Sequence, residues 1–308
     1  MRILLTGGSS FTGLWFARSL SAKGHTVVAP LKGRDYSGLR AARVAELHRV
    51  AEVIDDCPFG SPRFLDVVGT HSWDVLCQHA ARSGDYRNPD FNILGAVTEN
   101  TNNLNVVLKS MVSRGMAAVI VTGSAFEQDE GSGENPLRAF SPYGLSKGLT
   151  WQYFRFLGEM MDLRVAKFVI ANPFGPYEEP RFCNYLMQSW FKGEVPAVRT
   201  PQYVRDNIHV DLLAAIYADY VESVASGKAP ATLHPSFYVE SQGAFASRVA
   251  KEISDRLAMP CPLTLLEQQD FSEPRVRINT DRVDVSKFSW SERAAWDAEV
   301  EFYNRSRP

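Results

Sequence analysis

The sequence predicts an α/β protein built around a doubly wound parallel sheet. Apolar strand segments alternate with helical segments over the first half of the chain, and a glycine-rich turn joins the first strand to the first helix. The chain has 308 residues, 45% of them apolar, which suits one large or two closely joined domains. The strands of such a sheet end along one edge, where ligands bind.

The first strand and the first helix flank a candidate dinucleotide site. Arg2 to Leu5 predicts a buried strand, and Leu14 to Leu20 an amphipathic helix. The turn between them allows close helix–strand packing, and the helix N-terminus offers free N–H groups to a pyrophosphate. Ser10 replaces the middle glycine of the usual pattern, and it could restrict the approach to phosphate or add a hydroxyl donor. The turn residues predicted to bind the cofactor are Gly7, Ser9, Ser10, Phe11, Thr12 and Gly13.

The end of the second strand bears on the choice of cofactor. Gly24 to Leu31 predicts this strand, and no acidic residue stands at its end to hold a ribose 2′-hydroxyl. Lys32 and Arg34 follow instead and could bind the 2′-phosphate of NADP. We therefore expect NADP(H) ahead of NAD(H). An ordinary basic surface loop is the alternative, and Asp35 just beyond keeps NAD open.

The third and fourth strands complete the predicted cofactor edge. Val50 to Ile54 predicts the third strand and places Asp55 near the adenine. Trp73 to Ala81 predicts the fourth, with His79 near the cofactor rather than acting as a catalytic base. Two small residues at its end would let a cofactor lie against the backbone: Ala80 and Ala81.

A tyrosine and a lysine four residues apart form the candidate catalytic centre. Ala117 to Thr122 predicts a strand that ends at Ser124, and the helix carrying Tyr143 and Lys147 runs to about Met161. The spacing puts both side chains on one helical face. A lysine ammonium beside a phenol lowers the tyrosine pKa from about 10, and a nearby serine could share the proton of a substrate oxygen. The alternative is a helix with this spacing by chance.

The rest of the chain predicts a smaller region. Val165 to Ile170 predicts another strand, followed by Asn172, and Tyr203 to Asp211 predicts a later one. Two helices are expected beyond it, at Leu212 to Ser223 and Gly243 to Leu257. We predict a dinucleotide-binding domain at 1–172 and a mainly substrate-binding domain at 173–308, with some of its segments returning to the first sheet.

Composition argues against several other classes of protein. The net charge is −2 without a basic cluster, so no nucleic-acid partner is predicted. No segment approaches 18 continuous apolar residues, so no membrane partner is expected. The four cysteines form no CxxC pair, which predicts reduced thiols in a cytoplasmic protein and neither a metal site nor disulfides.

Taken in order, these motifs resemble the extended short-chain dehydrogenase/reductase family of nucleotide-sugar epimerases, dehydratases and reductases. The resemblance spans nearly the whole chain. It rests on Thr6-Gly7-Gly8 with Gly13, Ala80-Ala81, Ser124, Tyr143 with Lys147, Asn172-Pro173-Phe174-Gly175-Pro176 and Arg205-Asp206-Asn207-Ile208-His209-Val210. The resemblance implies an NAD(P)-dependent enzyme with a Rossmann domain. It also implies a homodimer formed through a four-helix bundle, here the predicted helices near 100–114 and 143–161.

Residue roles follow from the same resemblance. Tyr143 would be the general acid/base, Lys147 would bind the nicotinamide ribose, and Ser124 would hydrogen-bond the reacting oxygen. Asn172 matches a position that contacts the substrate diphosphate, and it is also assigned to the cofactor. Two arginines are candidates for the substrate diphosphate, Arg205 and, in a looser register, Arg275. Asn100 is assigned to the cofactor although the family's Asn-x-x-Gly-Thr pattern is not kept around it.

The sequence then narrows the chemistry. The resemblance places an Asp-Glu pair after the serine strand in 4,6-dehydratases, but Ser124 is followed by Ala125, Phe126 and Glu127, so dehydration is not expected. We therefore favour the hypothesis that the protein is a keto-sugar (4-keto) reductase that uses NADPH, with Tyr143 as the general acid. A 4-epimerase with tightly bound NAD is the alternative. A non-catalytic cofactor sensor or scaffold is a further alternative, although Tyr143 and Lys147 are both present.

Overall fold

The computed structural model describes residues 1–84 and 88–305. The chain divides into two compact units. The first unit contains Met1–Glu130, Arg138–Ile170 and Ala214–His234, and the second contains Gly131–Leu137, Ala171–Leu213 and the chain from Pro235 onward.

Strands and helices alternate as far as residue 170. The strands are β1 (Arg2–Leu5), β2 (Thr26–Pro30), β3 (Glu52–Ile54), β4 (Val75–Gln78), β5 (Ala118–Ser124), β6 (Ser132–Gly133), β7 (Arg164–Ile170), β8 (Asn172–Phe174), β9 (Ala197–Val198), β10 (Val204–His209), β11 (Thr232–Leu233), β12 (Pro235–Ser236), β13 (Tyr238–Ser241), β14 (Thr264–Leu265), β15 (Val276–Ile278) and β16 (Asp281–Arg282). The helices are α1 (Phe11–Ala22), α2 (Gly38–Leu47), α3 (Pro62–Thr70), α4 (Ile93–Asn100), α5 (Leu104–Val112), α6 (Pro142–Met160), α7 (Phe182–Phe191), α8 (Val210–Ala225), α9 (Gln242–Leu257) and α10 (Glu292–Arg305).

A parallel sheet forms the centre of the first unit. Among the described residues it has seven strands in the order β3-β2-β1-β4-β5-β7-β11. Every pairing is parallel, and β1 lies between β2 and β4. The strand order reverses at β1 and β4, and in such sheets the ligand crevice lies at this reversal. The predicted doubly wound fold is confirmed, and the glycine turn after β1 lies at the reversal point.

Apolar side chains bury both faces of this sheet. Strands such as β5 are almost continuously buried because helices cover a parallel sheet on both sides. One core cluster joins Leu4 and Leu76 of the strands to Trp73, Phe64 and Phe154. Close packing of these side chains fixes the positions at which the strands end.

A smaller mixed sheet organises the second unit. β10 pairs antiparallel with β13 and parallel with β15 and β8. Side chains of α7, α9 and α10 form the core beside it, centred on Phe174, Trp190, Phe245 and Trp296. No described helix is both long and apolar enough to cross a bilayer.

Two element boundaries differ from the sequence prediction. The helix predicted from Asn100 to Met111 is wrong at its start, because α4 ends at Asn100 and α5 begins at Leu104. Asn103 adopts a left-handed conformation with φ of 51°, which interrupts the helix. Its side-chain Nδ2 donates to the Gly60 carbonyl at 2.8 Å. The strand predicted to reach Asp211 ends at His209.

Candidate active site

The glycine turn brings three backbone segments into close approach. Gly7 has a φ of 76°, and a Cβ there would lie 2.8 Å from the Ala80 amide nitrogen. A Cβ at Gly13 would lie 2.2 Å from the Gly7 carbonyl oxygen. Any larger side chain would therefore push the turn away from helix α1 and from the end of β4.

Ser10 closes the turn with its own hydroxyl. Its Oγ accepts the N–H of Gly13 at 3.1 Å, which caps α1, and donates to the Gly7 carbonyl at 2.8 Å. The serine that replaces the expected glycine thus rigidifies the loop from inside.

His79 connects the glycine turn to the strand that carries the candidate serine. Its Nε2 lies 3.0 Å from Ser10 Oγ and 3.0 Å from Thr12 Oγ1, and its Nδ1 lies 3.0 Å from Thr122 Oγ1. Burial and the nearby charge of Lys147 lower the pKa of His79 to about 3. The ring is therefore neutral near pH 7, where it bridges hydroxyl groups and is a poor proton acceptor.

Thr6 holds the end of β4 in place. Its Oγ1 accepts the backbone N–H groups of His79 at 3.0 Å and Ala80 at 2.9 Å. Gln78 adds a hydrogen bond from its side chain to the Ala80 carbonyl at 3.2 Å. The small residues predicted to lie against the cofactor, Ala80 with Ala81 after it, follow directly on this anchored strand end.

Helix α6 delivers Lys147 to the neighbouring strand β5. Ser141 caps the helix and Pro142 occupies its first turn. Lys147 is buried, and its ammonium donates to the Thr122 carbonyl. Burial lowers the pKa of Lys147 to about 8, a shift opposed by the charge of Glu127.

Tyr143 lies one turn before Lys147 and is half-buried. Phe91 packs against it edge-on, with the ring centroids 6.5 Å apart. A Cβ at Gly144 would lie 2.1 Å from the Phe126 carbonyl oxygen, so the start of α6 is tightly packed against the chain that leaves β5. The structure therefore joins the glycine turn, His79 and the lysine of the predicted pair through Thr122.

Ser124 ends β5 opposite Ile170 of β7. Its amide donates to Glu127 Oε1 at 2.7 Å, and its hydroxyl accepts the N–H of Phe126 at 3.2 Å. The turn after β5 thus fixes both the backbone and the side chain of the predicted catalytic serine.

The sequence analysis missed a buried ionic network beneath this turn. Lys167 of β7 lies 2.6 Å from Glu127 Oε2 and also pairs with Glu130, whose other oxygen lies 2.6 Å from His234 Nε2. Glu127 and Lys167 are 0% and 1% exposed. The only signal in the sequence was a lysine inside the apolar run of β7.

The two carboxyls of this network differ in their proton affinity. Burial raises the pKa of Glu127, and the ammonium groups of Lys167 and Lys147 offset only part of this effect. Burial also acts on Glu130, but hydrogen bonds from His234 and Lys167 outweigh it and lower its pKa. Glu130 is therefore the more firmly ionised partner of Lys167.

The two cations predicted to select NADP take part in ion pairs. Lys32 lies 2.5 Å from Glu99, and Arg34 pairs with Asp56. Their side chains remain 69% and 65% exposed. Asp55, predicted to lie near the adenine, follows β3 directly and is half-buried.

Two arginines of α2 at the glycine turn were not anticipated from the sequence. Arg40 Nη2 donates to Ser9 Oγ at 2.9 Å, and Arg43 Nε donates to the Ser9 carbonyl at 3.0 Å. They add positive charge beside the turn, and Arg40 also lies over the ring of Tyr36.

Asn100 is buried and already has two hydrogen-bond partners. Its Oδ1 accepts the Arg82 amide at 2.8 Å, and its Nδ2 donates to Thr150 Oγ1 at 3.2 Å. These bonds tie α4 to α6 and to the chain after β4. Its predicted contact with the cofactor stays a prediction.

The three remaining site candidates fall in the second unit. Asn172 in β8 faces Asn207 of β10 in the sheet register. The guanidinium of Arg205 donates to Glu273 at 3.0 Å and to the Pro274 carbonyl at 3.0 Å. Arg275 is exposed and lies over the ring of Phe271, 4.1 Å from its centroid.

Comparison with known families decides the relationship. A sequence model described as the NAD dependent epimerase/dehydratase family matches residues 3–233. The chain belongs to the NAD-dependent epimerase/dehydratase family. This membership confirms the resemblance drawn from the motifs, and no curated protein matches the sequence significantly.

Several solved structures share the fold of this chain. The UDP-glucose 4-epimerase of Thermotoga maritima, with UDP-glucose, has 18% identity and a TM-score of 0.75, covering 99% of each chain. The UDP-glucuronic acid 4-epimerase of Bacillus cereus, with UDP-glucuronic acid and NAD, has 16% identity and a TM-score of 0.74, covering 99% of this chain and 100% of the other. DesIV, a dTDP-glucose 4,6-dehydratase of Streptomyces venezuelae with NAD, has 16% identity and a TM-score of 0.74, covering 100% of this chain and 98% of the other. At these identities the likeness establishes the fold.

Proposed function

We propose that this epimerase/dehydratase-family chain is an NAD-dependent nucleotide-sugar oxidoreductase, with 4-epimerisation as its first candidate reaction. The observation that carries the proposal is the hydrogen-bonded connection from the glycine turn through His79 and Thr122 to Lys147. It supports a cofactor turn and an acid/base helix that belong to one site.

The residues at the turn fit a dinucleotide. Gly7 and Gly13 let the turn pack directly against the end of β4 and the start of α1, and α1 begins at Phe11 with its N-terminal amides directed out of the helix. Arg40 adds a cation beside Ser9. When bound, the nicotinamide would supply the hydride acceptor and donor.

The protein residues would manage the proton. Tyr143 would remove the proton from a sugar hydroxyl as the carbonyl forms, and would return it in the reverse direction. Lys147 is charged below its pKa of about 8 and would favour the phenolate of Tyr143. Ser124, fixed by Glu127, would hydrogen-bond the same substrate oxygen.

Two observations narrow the substrate and the reaction. The structurally similar epimerases bind UDP-sugars, and Arg205 and Arg275 are candidates for the diphosphate. Against dehydration, Glu127 has one oxygen on the Ser124 amide and the other on Lys167, so neither is directed at a substrate. Epimerisation needs no further acid/base residue beyond Tyr143.

The first experiment identifies the dinucleotide in protein purified without added cofactor. Release of NAD after denaturation, with interconversion of a UDP-hexose and its C4 epimer, supports the proposal. Tyr143→Phe should lose nearly all turnover and still bind NAD, whereas Tyr153→Phe, an exposed tyrosine of the same helix, should keep turnover. An unaffected Tyr143→Phe enzyme would remove the catalytic role, and an inactive wild type that still binds NAD would favour a sensor or scaffold.

A keto-sugar reductase using NADPH is the second candidate. Lys32 and Arg34, although paired with Glu99 and Asp56, are largely exposed and available to a 2′-phosphate. Replacing both with alanine should weaken NADPH binding far more than NADH binding. Equal effects on the two dinucleotides would remove this argument, and Lys109→Ala serves as a distant control.

A homodimer is proposed from an exposed apolar stripe on α6. Helix α4 packs against α6, and Leu94 of α4 is also exposed, at 73%. The stripe repeats at helical spacing and consists of Leu145, Leu149, Tyr153, Phe156 and Met160. Such a face suits burial against its copy in a four-helix bundle.

Light scattering after size-exclusion chromatography tests the dimer. Phe156→Glu should give monomers, while Leu266→Glu, an exposed apolar position of the second unit, should leave a dimer. A monomeric wild type would contradict the proposal.

We also propose a cytoplasmic location, supported by free thiols at all four cysteines.

A further inference from the structure

Three side chains that can ligate metals meet in the core of the second unit. Glu178 follows the turn at Gly175, Cys183 lies in the first turn of α7, and Glu299 lies in α10. One ligand atom from each lies within 4.8 Å of the other two. The three residues are 4%, 3% and 2% exposed. Bulk water therefore cannot compensate for their charges.

Two buried carboxylate oxygens of this cluster lack a hydrogen-bond partner among the described residues, which indicates a binding site for a cation. Neither Glu178 Oε2 nor Glu299 Oε2 has a hydrogen-bond partner within residues 1–84 and 88–305. Buried carboxylates are normally paired or bound to metal, because leaving one uncompensated is costly. Two groups partly offset the buried charge of Glu178. The exposed guanidinium of Arg181 attracts it, and the Gly175 amide donates a hydrogen bond to its carboxyl.

The spacing suits a single small cation. For three atoms no more than 4.8 Å apart, a point exists within about 2.8 Å of all three. Zinc bonds to sulfur and oxygen are about 2.0–2.3 Å long, so each ligand would move inward by about half an ångström or slightly more. Side-chain rotation can supply a movement of that size without displacing helices.

The ligand types favour zinc. A thiolate is a soft ligand that magnesium and calcium avoid, whereas zinc accepts sulfur together with carboxylate oxygen. We propose that Glu178, Cys183 and Glu299 bind a zinc ion. Zinc usually takes four ligands, and the fourth position would be filled by water or by Tyr303, which is buried one turn after Glu299.

The competing state is a cluster held neutral by protons. Burial raises the pKa of Glu178 to about 8 and raises the pKa values of Glu299 and Cys183 well above their usual values. Zinc would displace these protons, so zinc affinity should increase with pH. A proton-only cluster would instead destabilise the fold as pH rises towards the pKa of Glu178, because the folded state must then bury charge.

Metal loading would bind three separate parts of the second unit together. The ion would hold the chain after β8, the start of α7 and the last helix. Glu178 and Cys183 are close in sequence but far from Glu299, and an ion that binds only the folded chain would stabilise it by mass action. The inference contradicts the sequence expectation of no metal site and does not depend on the proposed catalytic function.

The test uses untagged full-length protein, stripped with a chelator and then dialysed against zinc at pH 8. We expect one zinc ion per chain by elemental analysis and a higher melting temperature than in the stripped protein. Cobalt in place of zinc should give a near-ultraviolet thiolate charge-transfer band. Cys183→Ser should abolish this band and weaken zinc binding at least tenfold, whereas Cys261→Ser, a partly exposed thiol of the same unit, should change neither.

Other results would overturn the proposal. Failure of the stripped wild type to take up stoichiometric zinc would contradict the proposal. Equal zinc binding by both cysteine variants would assign the bound metal to other sites. If Cys183→Ser fails to fold, Glu299→Gln replaces it, because the amide keeps the size of the side chain. If Glu299→Gln is more stable than wild type at pH 9 and zinc changes the stability of neither, the cluster is held by protons alone.

Discussion

Replacing Lys147 with methionine should make the folded protein more stable while removing its activity. Burial lowers the pKa of this ammonium from 10.5 to about 8. At 1.36 kcal/mol for each pKa unit, the folded state loses about 3 kcal/mol by keeping the lysine charged. Methionine avoids this cost but leaves the Thr122 carbonyl without its donor, at a cost of about 1 kcal/mol. The expected net gain at pH 7 is about 2 kcal/mol.

The pH dependence of that gain identifies its cause. Below pH 8 both folded and unfolded chains carry the protonated lysine, so the full penalty is present. Between pH 8 and 10.5 the folded state releases its proton first, the unfolded state binds more protons, and wild-type stability rises with pH. At pH 9.5 the remaining penalty is about 1 kcal/mol. The advantage of Lys147→Met should therefore nearly vanish there.

Urea unfolding followed by circular dichroism at pH 7 and pH 9.5 measures this difference. Lys109→Met removes an exposed lysine of α5 and should show little change at either pH. A Lys147→Met protein that is less stable at pH 7, or whose gain is the same at both pH values, would refute the reasoning. The same variant should bind dinucleotide more weakly, because Lys147 is proposed to contact its ribose.

Two further predictions test the packing and the ionic network. Gly13→Ala should lower the free energy of unfolding by about 1–3 kcal/mol and impair dinucleotide binding, because its Cβ would lie 2.2 Å from a backbone oxygen. Gly69→Ala, whose Cβ would meet no atom within 4 Å, should change neither the stability nor the binding. Calorimetry and dinucleotide titration compare the two variants. Glu127→Gln should lower the free energy of unfolding by about 1.5–3 kcal/mol, because the buried Lys167 loses one charged hydrogen-bond partner but keeps Glu130, whereas Glu159→Gln, at an exposed pair, should have little effect in urea unfolding.

The sequence was sufficient for the fold because the strands of the first unit are buried on both faces. Runs such as 118–121 are apolar without interruption, and the glycine turn after Leu5 marks the first crossover. The break in the helix at Asn103 could not be foreseen, because it depends on a contact with Gly60, 43 residues away.

The site could be predicted only where its residues are close in sequence. Tyr143 and Lys147 are one helical turn apart, so helix geometry alone places them together. The partners of the His79 ring are 43 to 69 residues away, and those of the Lys167 ammonium are 37 and 40 residues away. Such contacts depend on strand order and register, which periodicity does not specify.

Long-range polar contacts also explain why the first unit places its functional groups so firmly. Thr122 accepts the ammonium of Lys147 at its carbonyl and meets His79 at its hydroxyl, so one residue of β5 orients both neighbours. Two positions further on, Ser124 is fixed by Glu127, whose other oxygen is held by Lys167. Buried polar groups of this kind are costly unless every partner is present. Their concentration at the end of one strand therefore supports the proposal that this edge of the sheet is the catalytic one.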